Sequence, residues 1–278
     1  MHFIDAHSHI WTPDTAHYPL AAGFRRFDMK PASFTAEELI KQMQPVGVDR
    51  VVLIQMSFYG YDNSYMLDAI RQYPGHFVGV AVINQDAADA GATMKKLKGQ
   101  GVRGFRIFPK NQPIDRWLEN DGLRLMFKVG AEENLPMCCL IDTDALPSLS
   151  KACEKFPETP VVIDHICRIG IGNKILPADV DALCGMARHK HVSVKVSAFY
   201  ALGKAQPPYT DLAPLIRRVY DAFGPERLMW ATDCPFQVVD HTYQQSIDLI
   251  QSRLDFLTAS DKEWILRKTA ERVYFQRK

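Results

Sequence analysis

Eight short segments rich in β-branched and other apolar residues punctuate the chain, at 3–9, 50–56, 77–83, 102–108, 136–142, 160–166, 192–198 and 228–233. Within each, apolar residues run continuously rather than alternating, which is the pattern of strands covered on both faces in a parallel sheet. The mean spacing of their starts is about 32 residues, close to the roughly 31 residues per unit of a 250-residue eightfold barrel. The stretches between them, such as 36–43 and 212–220, repeat their apolar residues at helical spacing. Thr35 with Glu38 three residues on has the spacing of a helix capping box. Gly47, Gly75, Gly101 and Gly224 each stand just ahead of the next strand, where a helix must end and the chain must turn. The pattern predicts an α/β protein, a single (β/α)8 TIM barrel occupying 1–278 as one domain. Two connections are too long for tight turns, 10–33 and 167–177, and both follow strand ends, the face on which such barrels carry their active-site loops.

Charge narrows the function classes. With 33 Lys+Arg against 32 Asp+Glu, the formal net charge is +1, and no basic stripe interrupts the sequence. Nucleic-acid and polybasic membrane binding both need clustered positive charge, so neither partner is expected. No run of about 18 uninterrupted apolar residues exists, so no transmembrane helix is expected. The N-terminus opens directly on a strand-like segment instead of a basic and apolar leader, so the expected address is cytoplasmic. The six cysteines show no C-x-x-C spacing and read as reduced, mostly structural thiols. Cys138 and Cys139 are neighbours on a strand and are expected to face opposite sides.

Three strand ends carry reactive side chains. In His7-Ser8-His9 two imidazoles two residues apart point the same way on a strand, an arrangement suited to a divalent metal or to polarising a carbonyl oxygen; Asp5 shares their parity. The plain alternative is a pair of exposed histidines at a strand terminus. The segment 228–236 ends an apolar strand in Asp233, followed by Cys234-Pro235; a carboxylate there is either catalytic or a turn residue. The sixth segment ends in Asp164-His165, of which strict alternation lets only one face inward. His189 and His191 repeat the H-x-H spacing but precede a strand, at the end of the barrel that serves stability. Lys195 reads as a structural partner inside the barrel.

On these segments the chain resembles the amidohydrolase superfamily, within it the amidohydrolase-related group that includes 2-pyrone-4,6-dicarboxylate lactonases and L-fuconolactonases. The resemblance rests on Ile4-Asp5-Ala6-His7-Ser8-His9-Ile10-Trp11, Val162-Ile163-Asp164-His165, Val194-Lys195-Val196-Ser197, the segment 227–236, and the closing segment 268–275. It implies an active centre of His7, His9, His165 and Asp233. Asp233 would be the general base that activates water, and the histidines, or a metal held by His7, His9, His165 and Asp233, would polarise a lactone carbonyl. Two-metal members of the superfamily carry a bridging Lys or Glu on the fourth strand and a His on the fifth; segments 102–108 and 140–142 offer neither. The resemblance therefore implies one divalent ion, zinc or manganese, or a metal-free centre.

Arg106, near the end of the fourth strand, is a candidate anchor for a substrate carboxylate, with Arg168 and Lys110 as helpers; its alternative role is a salt bridge to Asp142. Tyr59, Tyr61 and Tyr65, with Trp11, His17, Tyr18, Arg25 and Arg26, are placed to line the pocket or to cover the barrel top, and Tyr59 is the one assigned to substrate binding. The reading that follows is a hydrolase opening the cyclic ester of a small anionic or sugar-derived lactone. A metal-dependent decarboxylase or hydratase and a non-catalytic binding barrel are the alternatives.

Overall fold

A computed structural model describes residues 2–107 and 118–276. Eight parallel strands, β1 (Phe3–Ser8), β2 (Val48–Ile54), β3 (Phe77–Ala81), β4 (Val102–Ile107), β5 (Met137–Cys139), β6 (Val161–Ile163), β7 (Val192–Ser197) and β8 (Leu228–Ala231), are hydrogen-bonded in chain order. Helices α1 (Ala36–Met43), α2 (Ser64–Gln72), α3 (Ala90–Gly99), α4 (Asp121–Glu133), α5 (Leu146–Lys155), α6 (Pro177–Gly185) and α7 (Ala213–Phe223) follow the first seven strands in turn. The expected (β/α)8 barrel is present. Among the described residues no helix is long and apolar enough to cross a membrane.

Local chemistry starts and stops these elements as the sequence requires. Thr35 Oγ1 accepts from the Glu38 amide while the Glu38 carboxylate accepts from the Thr35 amide, so α1 begins in a true capping box. Gly47 ends the following turn at φ 80°, a left-handed conformation that glycine adopts without steric cost. Strands stop earlier than their apolar runs: β5 and β6 keep only three residues each in the ladder. The residues beyond have left the sheet to shape the mouth of the barrel. Phe108, at the end of the fourth run, lies outside the described residues.

Apolar packing falls into two concentric layers. Phe105, Cys139, Val161 and Val194 pack outward against the helices. Ile4, Val52, Val80, Cys138, Val162 and Met229 fill the barrel itself, with Tyr274 of the C-terminal helical segment plugging its lower end. Cys138 and Cys139 thus face opposite layers, and all six cysteines are free.

The sheet closes between β8 and β1 close to the mouth. The Asp233 amide donates to His7 O at 2.8 Å and the His9 amide to Cys234 O at 2.7 Å. Asp5 locks the same seam from below. Its carboxylate accepts from the His7 amide (2.9 Å), Ser8 Oγ (2.8 Å), the Thr232 amide (3.0 Å), Thr232 Oγ1 (2.5 Å) and the Tyr243 hydroxyl (2.5 Å). Asp5 is fully buried by this latch, so its shared parity with His7 and His9 serves the seam that carries them.

Candidate active site

Four of the residues singled out in the sequence meet at the C-terminal mouth. His7 and His9 approach through their Nε2 atoms at 3.3 Å. Asp233 Oδ1 lies 3.1 Å from His9 Nε2 and 3.4 Å from His7 Nε2, and Asp233 Oδ2 lies 3.8 Å from His165 Nε2. All four side chains are buried or nearly so.

His165 reaches this cluster by a route that strand alternation excludes. β6 ends at Ile163, and residues His165, Ile166, Cys167 and Arg168 all take positive φ, between 50° and 57°. The chain therefore leaves extended geometry after Asp164, and both neighbours turn inward: Asp164 toward the barrel interior and His165 toward the mouth. The expectation that only one could do so is corrected by this turn. Holding a β-branched residue such as Ile166 in the left-handed region costs about 1–2 kcal/mol, a strain typical of functional segments. Asp233 is also left-handed, at φ 64°.

Hydrogen bonds orient each imidazole. His9 Nδ1 lies 2.8 Å from Ile54 O, an acceptor, so Nδ1 carries the proton and Nε2 is the atom offered to the site. A carboxylate oxygen and an imidazole lone pair 3.1 Å apart repel unless a proton or a cation bridges them. His165 Nδ1 pairs with Ser197 Oγ at 2.9 Å. His7 Nδ1 lies 3.2 Å from Lys195 Nζ and 3.5 Å from Asp164 Oδ1. Lys195 is wholly buried and sits 3.0 Å from Asp164 Oδ1. It is a structural partner inside the barrel, as expected, and it also touches the site.

Burial sets the charge states. It pushes His7 well down, with Lys195 and His165 adding to the effect, and it also lowers His165; both imidazoles are neutral near neutral pH. Burial alone would raise Asp233, but His165, the His9 hydrogen bond and His7 outweigh it, and the carboxyl is held well below the usual carboxylate range. Asp164 is held low in the same sense, burial being outweighed by Lys195, His7 and Arg106.

Tyr200 is a member of the cluster that the sequence reading missed. Its hydroxyl donates to Asp233 Oδ2 at 2.7 Å, and its ring stacks on Phe236 with centroids 6.4 Å apart. The available signal was positional: an aromatic with a polar tip three residues past the end of β7, on the mouth side. Burial, then Asp233, pushes its phenol far up, so it stays a donor.

Above the cluster opens a cavity of about 760 Å³, within the range usual for small-molecule sites. Arg106 and Arg168 both line it. Arg106 does not pair with Asp142. Its guanidinium lies 3.7 Å from Asp164 Oδ2, and its Nε is buried without a hydrogen-bond partner among the described residues. Asp142 pairs instead with Arg168, at 3.3 Å. Tyr59 is packed below the wall against Phe58, its hydroxyl accepting from the Thr12 amide; Tyr61 lines the cavity in its place. Trp11 is buried, donating to Pro31 O, and the long first loop contributes Ala21, Ala22 and Phe24. Lys110 lies outside the described residues.

The donor set matches a single divalent ion in distance. Ligands about 2.0–2.1 Å from a tetrahedral zinc stand roughly 3.3 Å apart, and His7 Nε2, His9 Nε2 and Asp233 Oδ1 are separated by 3.1 to 3.4 Å. His7, His165 and Asp233 form a second, overlapping triad, with one donor atom from each within 4.8 Å. Ligation through His7 Nε2 further requires its proton to sit on Nδ1.

The sequence model of the family described as Amidohydrolase matches residues 4–276. The chain is 26% identical over 231 residues to the 4-sulfomuconolactone hydrolase of Hydrogenophaga intermedia, covering 83% of this chain and 74% of that one. It is 28% identical over 242 residues to the 2-pyrone-4,6-dicarboxylate hydrolase of Comamonas testosteroni, covering 84% and 76%. A probable 2-pyrone-4,6-dicarboxylic acid hydrolase from Acinetobacter baumannii, solved with citric acid bound, superposes with a TM-score of 0.84 at 22% identity, covering 99% of this chain and 100% of that one.

Proposed function

We propose, from the premise that this chain belongs to the amidohydrolase family, that it is a hydrolase that opens the ring of a small carboxylated lactone. One observation carries the reading: an ionised, buried carboxylate, Asp233, faces three imidazoles on the floor of a cavity whose wall holds a guanidinium with an unpartnered N–H. That is a base beside electrophilic donors, with an anchor for an anion.

Asp233 Oδ1 takes a proton from a water as its oxygen attacks the carbonyl carbon. An imidazole N–H facing the cavity, from His7 or His165, stabilises the oxyanion, while His9 offers a lone pair there; the tetrahedral intermediate then collapses with cleavage of the ring C–O bond. The proton on Asp233 passes to the departing ring oxygen, giving an open hydroxy acid and restoring the carboxylate. Tyr200 holds the far carboxylate oxygen at 2.7 Å, fixing the direction in which Oδ1 points. Where a divalent ion is held by His7, His9 or His165 together with Asp233, it supplies Lewis-acid polarisation of the carbonyl.

The cavity wall separates the two substrate classes under consideration. Phe24, Met56, Val82, Leu140, Leu202 and Phe236 present apolar surface, and apart from the histidine–aspartate cluster, Tyr200 and the two arginines the polar side chains of the wall are Gln55, Ser57 and Tyr61. A polyhydroxylated sugar lactone would have to satisfy its hydroxyls with these few neutral groups, at about 1–3 kcal/mol for each one left unpartnered. A flat or alkyl lactone bearing carboxylate fits the wall and the Arg106 anchor better. Among relatives of similar identity, a pyrone-dicarboxylate and a muconolactone hydrolase agree with this choice, while an L-fucono-1,5-lactonase of Burkholderia ambifaria keeps the sugar lactones in the test.

The test is initial hydrolysis rate, followed by proton release, across pyrone-carboxylate, muconolactone-type and sugar-acid lactones, with and without chelation. Carboxylated unsaturated lactones should lead the panel, and Arg106→Ala should raise their KM about 10- to 100-fold by removing a charge-assisted bond. Equal KM in wild type and variant would remove the anchor. Release of CO2 from a carboxylated substrate without lactone hydrolysis would move the enzyme to the decarboxylase reading.

A further inference from the structure

Behind the site, Lys195 and Asp164 compete for one nitrogen of His7, and what they decide is which face of that imidazole carries the proton. Lys195 Nζ stands 3.2 Å from His7 Nδ1 in hydrogen-bonding geometry. Asp164 Oδ1 stands farther from the same nitrogen, at 3.5 Å, at the outer limit of a hydrogen bond. An ammonium group has three donors and no lone pair. It can only donate to Nδ1, so that nitrogen must present its lone pair and the proton of the neutral ring must lie on Nε2, the atom facing the cavity. Were Asp164 the partner, the proton would sit on Nδ1 and Nε2 would offer a lone pair.

The surroundings favour the first arrangement. Lys195 is wholly enclosed in the barrel, 3.0 Å from Asp164 Oδ1 and with its ammonium 5.6 Å from the Tyr274 ring centroid. The ion pair and the ring face hold a buried cation that would otherwise be costly. Arg106 approaches the other oxygen of Asp164 at 3.7 Å, so that carboxylate is balanced by two cations and need not draw a proton from His7.

We propose that Lys195 is a positioning residue that selects the Nε2–H tautomer of His7, making His7 a hydrogen-bond donor to the developing oxyanion. Asp164 and the Tyr274 ring share in holding the Lys195 ammonium, so neither alone decides its bond to His7. The consequence for catalysis rests on the lactone-hydrolase reading; the tautomer does not. In this state His7 Nε2 has no lone pair to give, so metal ligation by His7 requires the Lys195–His7 bond to break and the His7 proton to move to the side of Asp164. Lys195 thereby opposes metal capture at a triad whose distances otherwise suit it.

Long-range ¹H–¹⁵N correlation spectra of the full-length, chelator-treated protein labelled at histidine, with His7 assigned by the His7→Gln variant, read the tautomer directly. Wild type should show the proton on His7 Nε2. Lys195→Met should move it to Nδ1, tighten zinc binding about 10-fold or more, on the scale of outer-shell effects on metal affinity, and lower kcat of the metal-free protein about 100-fold with KM little changed. Asp164→Asn should keep the wild-type tautomer. A wild-type proton on Nδ1, an unchanged tautomer in Lys195→Met, or a reversal in Asp164→Asn each overturns the proposal. If Lys195→Met fails to fold, the wild-type and Asp164→Asn spectra still decide it. A protein that hydrolyses no lactone leaves the spectra and the zinc titration intact, so failure of the lactone reading is seen separately.

Discussion

His7-Ser8-His9 closes β1 and His189-Lys190-His191 leads into β7; the spacing is identical, and the two pairs lie at opposite ends of the barrel. At the C-terminal mouth both imidazoles are buried, their Nε2 atoms 3.3 Å apart, and a carboxylate from another strand end joins them. At the other end the two rings diverge. His189 pairs with Ser150 Oγ at 2.8 Å, and His191 lies half exposed, 3.9 Å from Glu158. A cavity of about 740 Å³ opens there too, lined by Lys190, His191, Arg227 and Arg272. Arg227 spends its donors on the carbonyls of Phe223, Ala187 and His189, and Arg272 donates to Glu226 O. Two cavities of nearly equal size thus differ in whether reactive groups from several strands converge. Strand direction decides this, because in a parallel barrel all eight C-terminal ends open on one face.

Asp233→Asn gives the largest expected effect. Asn tolerates the left-handed backbone at this position but cannot accept the proton of the attacking water, so kcat should fall about 10²- to 10⁴-fold, the range of general-base catalysis. Unchanged kcat under single-turnover conditions would detach the mouth from the chemistry.

Next comes the pH dependence of stability in chelated protein. His7 and His165 have folded pKa values below the unfolded value of 6.5. Below pH 6.5 the unfolded chain therefore binds protons that the folded chain refuses, and stability falls as pH drops. The slope approaches about 1.4 kcal/mol per pH unit for each such histidine. Asp233, depressed in the fold, adds its loss only below the ordinary carboxylate range. Urea midpoints between pH 7.5 and 5 should show the decline, and His165→Asn should flatten it. A flat profile in wild type would mean that the mouth histidines are solvated in the fold.

The smallest effect belongs to that other end. Replacing both His189 and His191 by Ala should leave kcat/KM within about twofold and cost roughly 1 kcal/mol, the worth of one partly buried hydrogen bond. A large loss of activity would mean that the two ends communicate.

Much of this was legible in the chain. Continuous apolar runs at a mean interval of about 32 residues, alternating with helical periodicity, point to strands covered on both sides with helices between them, and the His7/His9 parity placed two imidazoles on one face. Asp164-His165 was legible only in part, because alternation holds within a strand, and the four left-handed residues from His165 to Arg168 end the strand first. Tyr59 and Tyr61 could not be told apart by spacing, since which of them meets the cavity depends on a loop path set by packing against Phe58 and Trp11.

The sequence by itself determined what is periodic or local: the eightfold βα repeat, the capping box at Thr35, the strand ends that carry His7, His9, His165 and Asp233, and family membership. Only the tertiary structure decided what depends on long-range contact. It placed Tyr200 on Asp233, moved Arg106 from Asp142 to Asp164, made Asp5 a seam latch, and set Lys195 against His7. Those pairings join residues up to 238 positions apart. Local spacing carries no information about them, because they arise when the sheet closes and brings the far ends of the chain within hydrogen-bond reach.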